Sequence, residues 1–232
     1  MKYLTPVALS ILILSLEACG QAPQRGAADN QAAATNPAAP AKLGPTERLL
    51  AAAEPFEKLT EIAFTAPPLE IDKTIVDAHS AAASVRPLLS TASANLADKL
   101  FLDIDRARKG SDRPGLALAS IEIYRGIVSS VPSGTKVPSA VSLLDYAGFR
   151  YQADLKAAPP RWKDMSDAMR FAQSQWSALK PKLNDTALAT SFEKTLADME
   201  KAVAKKDVAF AAASAAEELN MVDKLEIHFA AP

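Results

Sequence analysis

From Pro45 to Pro232 the chain repeats itself. Moved along by 94 positions, Leu49-Leu50 falls on Leu143-Leu144, Arg86-Pro87 on Lys180-Pro181, Leu89 on Leu183 and Ser120 on Ser214. The register continues without a gap through Leu102 on Leu196, Ala117 on Ala211 and Val128 on Val222. In an alanine- and leucine-rich chain such identities carry little weight alone. The weight lies in the punctuation: Pro45, Pro67-Pro68 and Asp112 recur within two positions as Pro138, Pro159-Pro160 and Asp207. Proline and capping residues are what start and stop helices, so the same sequence of helices is expected twice. Residues 45 to 232 are twice 94 in number, with repeat units at 45–132 and 138–232.

Each copy reads as four helices. In the first, Thr46–Phe64 must stop before Pro67-Pro68. Ile71, Ile75, Ala78, Ala82, Val85 and Leu89 then recur at steps of three and four, the apolar stripe of an amphipathic helix. Leu96, Leu100, Ile104 and Ala107 mark a shorter third helix that ends at Lys109-Gly110. Asp112 caps the fourth, Gly115–Ser130, with Pro114 in its first turn. That helix is apolar on most sides, and Glu122 and Arg125 are its main charges. In the second copy Val141, Leu144, Tyr151 and Leu155 mark the first helix, and Trp162–Lys182, Thr186–Lys205 and Asp207–Phe229 supply the rest. No stretch alternates as a strand would.

The expected fold is therefore all-α, eight helices as a duplicated four-helix unit. It is either a single compact helical body or a pair of tandem four-helix bundles. A helix apolar nearly all round needs neighbours on both sides, and the connection Val131–Val137 is short; both favour one body, with a groove at its pseudo-symmetric interface.

Composition narrows the function. Hydrophobic residues make up 49% but aromatics only 6%, a helix-favouring mixture. With 26 basic against 27 acidic residues, the balance supplies no basic surface for nucleic acid. One cysteine excludes an intrachain disulfide framework, and two histidines leave little material for histidine catalysis or a histidine-rich metal site.

The N-terminus carries Lys2 and an apolar core, Val7–Leu16, too short to span a bilayer, which takes about 20 residues. It reads as a secretory signal over residues 1–18. It runs into Leu16-Glu17-Ala18-Cys19-Gly20, which resembles the lipobox of bacterial lipoproteins, Glu17 being a departure where a small or apolar residue is usual. The resemblance implies a diacylglyceryl thioether on Cys19, which would become the mature N-terminus, and usually an acyl group on its amine. Two or more such chains hold stably in a bilayer where one would not. Gly20 rather than Asp after the cysteine implies the outer membrane rather than the inner, with a periplasmic domain. Residues 19–44 form the anchor and an Ala/Pro-rich tether without apolar period, which as a coil reaches about 25–30 Å.

A duplicated four-helix unit on an exported lipoprotein is similar in outline to the imelysin-like proteins, periplasmic or surface helical proteins some of which are linked to iron uptake. Their signature places a histidine and a glutamate three apart on a helix. Here His79 is followed at that spacing by Ala82, so no site carries over.

The search for chemistry is mostly negative. Gly134-Thr135-Lys136 lacks the upstream glycine of a phosphate loop, and there is no zinc-protease histidine pair, no Gly-x-Ser-x-Gly elbow and no Cys-x-x-Cys-His. No resident cofactor and no enzymatic activity are expected. The segment 143–151 is the densest cluster of polar groups and aromatics, and Gly148 within a helix marks a close crossing or a ligand-facing notch lined by Tyr146, Phe149 and Tyr151. The leading expectation is a non-catalytic binding or interaction module for an envelope protein or small ligand. The alternative is a periplasmic metal- or haem-handling protein related to iron uptake, with iron or a b-type haem held by His79, Met221 or His228. On α-helical spacing, Met221 and His228 share a solvated stripe with Glu217 and Lys224.

Overall fold

A computed structural model describes residues 43–231. The signal segment, Cys19 and the tether as far as Lys42 lie outside the described residues. Eight α-helices and no strand occur among the described residues. The first repeat holds α1 (Pro45–Ile62), α2 (Pro68–Val85), α3 (Thr91–Lys109) and α4 (Arg113–Val128). The second holds α5 (Ser139–Leu155), α6 (Trp162–Leu179), α7 (Thr186–Lys205) and α8 (Val208–Ala230). The bounds of α2 and α6 differ by 94 at both ends, the offset of the sequence repeat.

The punctuation works as its chemistry requires. Pro45 and Pro68 occupy the first turns of α1 and α2, where a missing N–H costs nothing. Asp112, Asp185 and Asp207 cap α4, α7 and α8, accepting from the amides of Gly115, Leu188 and Phe210 at 2.9, 2.9 and 3.0 Å. The second helix of each copy ends earlier than its apolar stripe suggests. The α-helix stops at Val85 and at Leu179, and the chain tightens into 3₁₀ turns over Arg86–Leu88 and Lys180–Lys182. Pro87 and Pro181 have no N–H to continue the ladder.

Two apolar stripes are rotated from the sequence reading. On α3 the buried positions are Ala94, Ala97, Ile104 and Ala107, while Leu96 is exposed and Leu100 half-buried. On α8 the buried face runs through Ala211, Ser214, Ala215, Glu218, Met221, Val222 and Leu225. Met221 thus belongs to the core and not to a solvated stripe. On both helices alanines line the close contacts, and larger residues such as Leu96 and Leu219 lie at their margins.

Residues 43–231 form one compact unit. In the first repeat α1 packs on α2 and α4, and α4 on α3; in the second α5 packs on α6 and α8, and α8 on α7. The repeats join through α4 and α5. Nine residues of α4 and eleven of α5 are buried, so each helix has neighbours on both flanks. This settles the architecture as a single body. Within it Ser120 Oγ donates to the Phe56 carbonyl at 2.8 Å and Arg113 to the Ala63 carbonyl at 2.9 Å, tying α4 to α1 and the turn after it.

Gly148 marks the close crossing, and what occupies the space is a carboxyl group. A Cβ at Gly148 would stand 1.9 Å from Glu218 Oε2 and 2.8 Å from Leu219 Cδ2. Gly148→Ala is expected to cost about 1–3 kcal/mol, because the buried Glu218 side chain has little room to move. The Gly148→Ala/Glu218→Ala pair should cost less than the sum of its single changes, measured by chemical denaturation.

Candidate functional site

The α4–α5 junction has a polar flank. Tyr146, fully buried on α5, donates from its hydroxyl to Glu122 Oε1 on α4 at 2.7 Å, and Arg150 Nη1 donates to the same hydroxyl at 2.8 Å. Arg125 pairs with Glu122 at 2.9 Å and lies over the Tyr146 ring. Burial and the Glu122 charge push the Tyr146 phenol up to about 12, so the hydroxyl stays a donor. Arg150 and Arg161 approach Asp154 at 3.9 and 3.7 Å. Burial lifts the Asp154 carboxyl to about 6, against the pull of those two arginines. The network is held on both sides by helix packing and sets the register of α5 against α4.

None of the three aromatics expected at a ligand-facing notch faces outward. Tyr146, Phe149 and Tyr151 are buried; Tyr146 meets Phe171 edge to face, and the Tyr151 hydroxyl donates to the Met199 carbonyl at 3.3 Å. Their rings complete the core, and the notch at Gly148 is filled by Glu218. The residues named for a metal or haem are not brought together either. His79 is exposed and stacks on Phe101 with ring centroids 3.9 Å apart. His228 sits half-buried against Phe229 near the end of α8, and Met221 is in the core about two turns away, ~10 Å along the axis. Among the described residues no group of three or more His, Cys, Asp or Glu side chains has an arrangement that could hold a metal ion.

Around the α4–α5 connector the two repeats leave a groove of about 760 Å³. The start of α1 contributes Thr46, Glu47 and Leu50; the end of α8 contributes Glu226 and Ile227; the α4–α5 connector and Ser142 of α5 form the remainder. It lies where both copies meet, as the duplication predicts. The walls are largely apolar: Ile227 is 71% exposed and Leu50 40%.

Several carboxyl groups of α1, α5 and α8 lie close enough to act on one another. Glu57 of α1 is half-buried, and its carboxyl is raised to about 7 by burial and then by the charges of Glu61, Glu226, Glu54 and Asp223. Asp145 of α5, one turn beyond Ser142, is only 8% exposed. Burial pushes it well up, and Glu57, Glu218, Glu226 and Asp223 add to the effect. Glu218 is wholly buried, neither carboxyl oxygen has a hydrogen-bond partner, and burial holds it far above the usual carboxylate range. Tyr124 of α4 is raised likewise, by burial first and then by Asp145 and Glu57. The sequence does carry a sign of this set. Glu218 stands among Ala211, Ala215, Val222 and Leu225, at core spacing, where a charged residue is rarely buried without a partner.

Because the folded state raises Glu57, Asp145 and Glu218, it binds protons that the unfolded chain has released. Their contribution to stability is present below the ordinary carboxylate range and is lost as pH rises through about 7, where Glu57 titrates. Unfolding free energy should therefore fall between about pH 5 and pH 8, and Glu57→Gln should gain about 1–2 kcal/mol at the upper end and little at the lower, read from urea unfolding.

Among the described residues no helix is long and apolar enough to cross a membrane. Comparison of the chain with protein-family models, with characterised proteins and with solved structures finds no match.

Proposed function

We propose that this protein is a membrane-anchored periplasmic lipoprotein that acts as a non-catalytic binding module, with its ligand or envelope partner held in the groove between the two repeats. The observation that carries the reading is the groove itself. A concave space of about 760 Å³ with mainly apolar walls and a few polar groups has the size and chemistry of a small-ligand site. It is lined by the start of α1, the α4–α5 connector, the start of α5 and the end of α8, so neither repeat has it alone.

The anchor supports the same reading. A lipid on Cys19 followed by an extended tether would keep the helical body within reach of the envelope surface while leaving the groove free to face the periplasm.

Two experiments bear on the two halves of this proposal. Cys19→Ala should release the protein from the membrane fraction with its far-ultraviolet circular dichroism unchanged; continued membrane retention would overturn the anchor. Ala230→Trp places a large ring on the groove wall at an exposed helix end. Native mass spectrometry of protein isolated from the envelope should show a bound species whose occupancy falls about tenfold in that variant, which corresponds to about 1.4 kcal/mol.

A further inference from the structure

The walls of the groove are aliphatic. Leu50, Val128, Val131, Val137 and Ile227 supply them, and among the described residues that line it none is aromatic. A flat conjugated ligand would find no ring to stack on, whereas a run of methylenes would find side chains of its own kind. Ile227 and Leu50 stand open to water, so a methylene chain laid on them removes apolar surface from water on both partners.

The rim carries both signs of charge: Lys136 on the α4–α5 connector, Glu47 at the start of α1 and Glu226 near the end of α8, all exposed. Glu47 is folded back over its own helix start, its Oε2 2.5 Å from where a Cβ on Gly44 would stand. Lys136 and Glu226 remain as the charges for a ligand to meet. A purely anionic head is repelled by Glu226 and a purely cationic one by Lys136, whereas a head that carries both signs complements each. The start of α5 adds donors for the anionic end. Ser139 lies in the groove wall, and the cap before it, Pro138, has no side chain that accepts from the first-turn amides.

The chain enters the helical body beside this groove. Leu43 and Gly44 run straight into the first turn of α1, where Thr46 and Glu47 line it. A tether from a lipidated Cys19 would hold that end of the body within about 25–30 Å of a bilayer, so the nearest supply of aliphatic chains is the bilayer's own lipid. We propose that the groove holds an acyl chain of a zwitterionic phospholipid from that bilayer, with the phosphate at Lys136 and the start of α5 and the ammonium at Glu226. This rests on the groove being a ligand site and names the ligand class. Charge-assisted hydrogen bonds fix the head, and the aliphatic walls hold the chain.

The probe is phosphatidylethanolamine with a photoactivatable group in its acyl chain. Protein purified from the envelope is placed with vesicles of equal phosphatidylethanolamine and phosphatidylglycerol, the label being on one lipid or the other. Illumination should attach labelled phosphatidylethanolamine to the peptides that carry Leu50, Val137 and Ile227, several-fold more than labelled phosphatidylglycerol. Ala230→Trp should lower the adduct about tenfold, whereas Glu200→Gln on α7 should leave it unchanged. Lys136→Gln/Glu226→Gln alters two exposed side chains and should remove the preference between the lipids. Absence of adducts at those peptides, adducts that Ala230→Trp does not lower, or equal labelling by the two lipids in the unaltered protein overturns the proposal. So does a bound species of polypeptide mass in the envelope-purified protein. If the labelled lipid fails while Ala230→Trp still strips a bound species from that protein, the ligand class falls and the groove stands. If Ala230→Trp strips nothing and the labelled lipid also fails, both readings fall together.

Discussion

Two helices buried along most of their length, α4 closing the first repeat and α5 opening the second, need partners on both flanks and find them in each other and in their own flanking helices. The α4–α5 contact is that solution, and the rest of the body is arranged around it. α1 and α3 cover α4, and α6 and α8 cover α5. The short connection from Ser129 to Pro138 brings the two repeats together at this contact. Burial of so much alanine, isoleucine and leucine surface supplies the driving force, but it is not directional. Register comes from the polar flank, where Tyr146 bridges Glu122 and Arg150. Loss of one member would strand the others in a poorly solvated space.

Duplication would ordinarily give two equivalent seams, and here they have diverged. The α4–α5 seam is closed by helix packing, with Arg125 and Arg150 neutralising Glu122. Its counterpart, α1 with α8, is not closed by helix packing; the start of α1 and the end of α8 line the groove instead. Position 124 carries a tyrosine in the first copy, and the position 94 residues later, 218, carries a glutamate. Both are buried at the centre of the body. Tyr124 is a large ring that fills space. Glu218 is a carboxyl that needs Gly148 to make room for it. The asymmetry is thus written in a few residues on an otherwise repeated scaffold.

Much of the fold was legible because its signals are local. Prolines and aspartate caps act within one helical turn, and the structure follows them at Pro45, Pro68, Asp112 and Asp207. Stripes built from large residues also read correctly, as on α2, where Ile71, Ile75, Ala78, Ala82 and Val85 are buried. The readings that failed depended on which face meets a neighbour. On α3 the neighbour approaches over Ala94 and Ala97, leaving Leu96 outside; on α8 it approaches over Glu218 and Met221. Hydropathy cannot report this, because close approach rewards small side chains and the burial of a carboxyl is set by partners distant in sequence. For the same reason an aromatic cluster such as Tyr146, Phe149 and Tyr151 reads alike in sequence whether it lines a surface or, as here, is buried in the core.

Sequence alone determined the number of helices, their order and their duplication, since each depends on residues within a turn or on a pattern copied at fixed spacing. It also supplied the lipobox resemblance at Cys19, which lies outside the described residues. Tertiary structure decided that the two copies form one body, that α5 is buried within it, and that Glu57 and Glu218 come close enough to act on Asp145. These three carboxyl groups are separated by scores of residues in the chain. Only the packing of the helices brings them within reach of one another, and only burial in a poorly solvated space turns ordinary acids into groups that hold their protons.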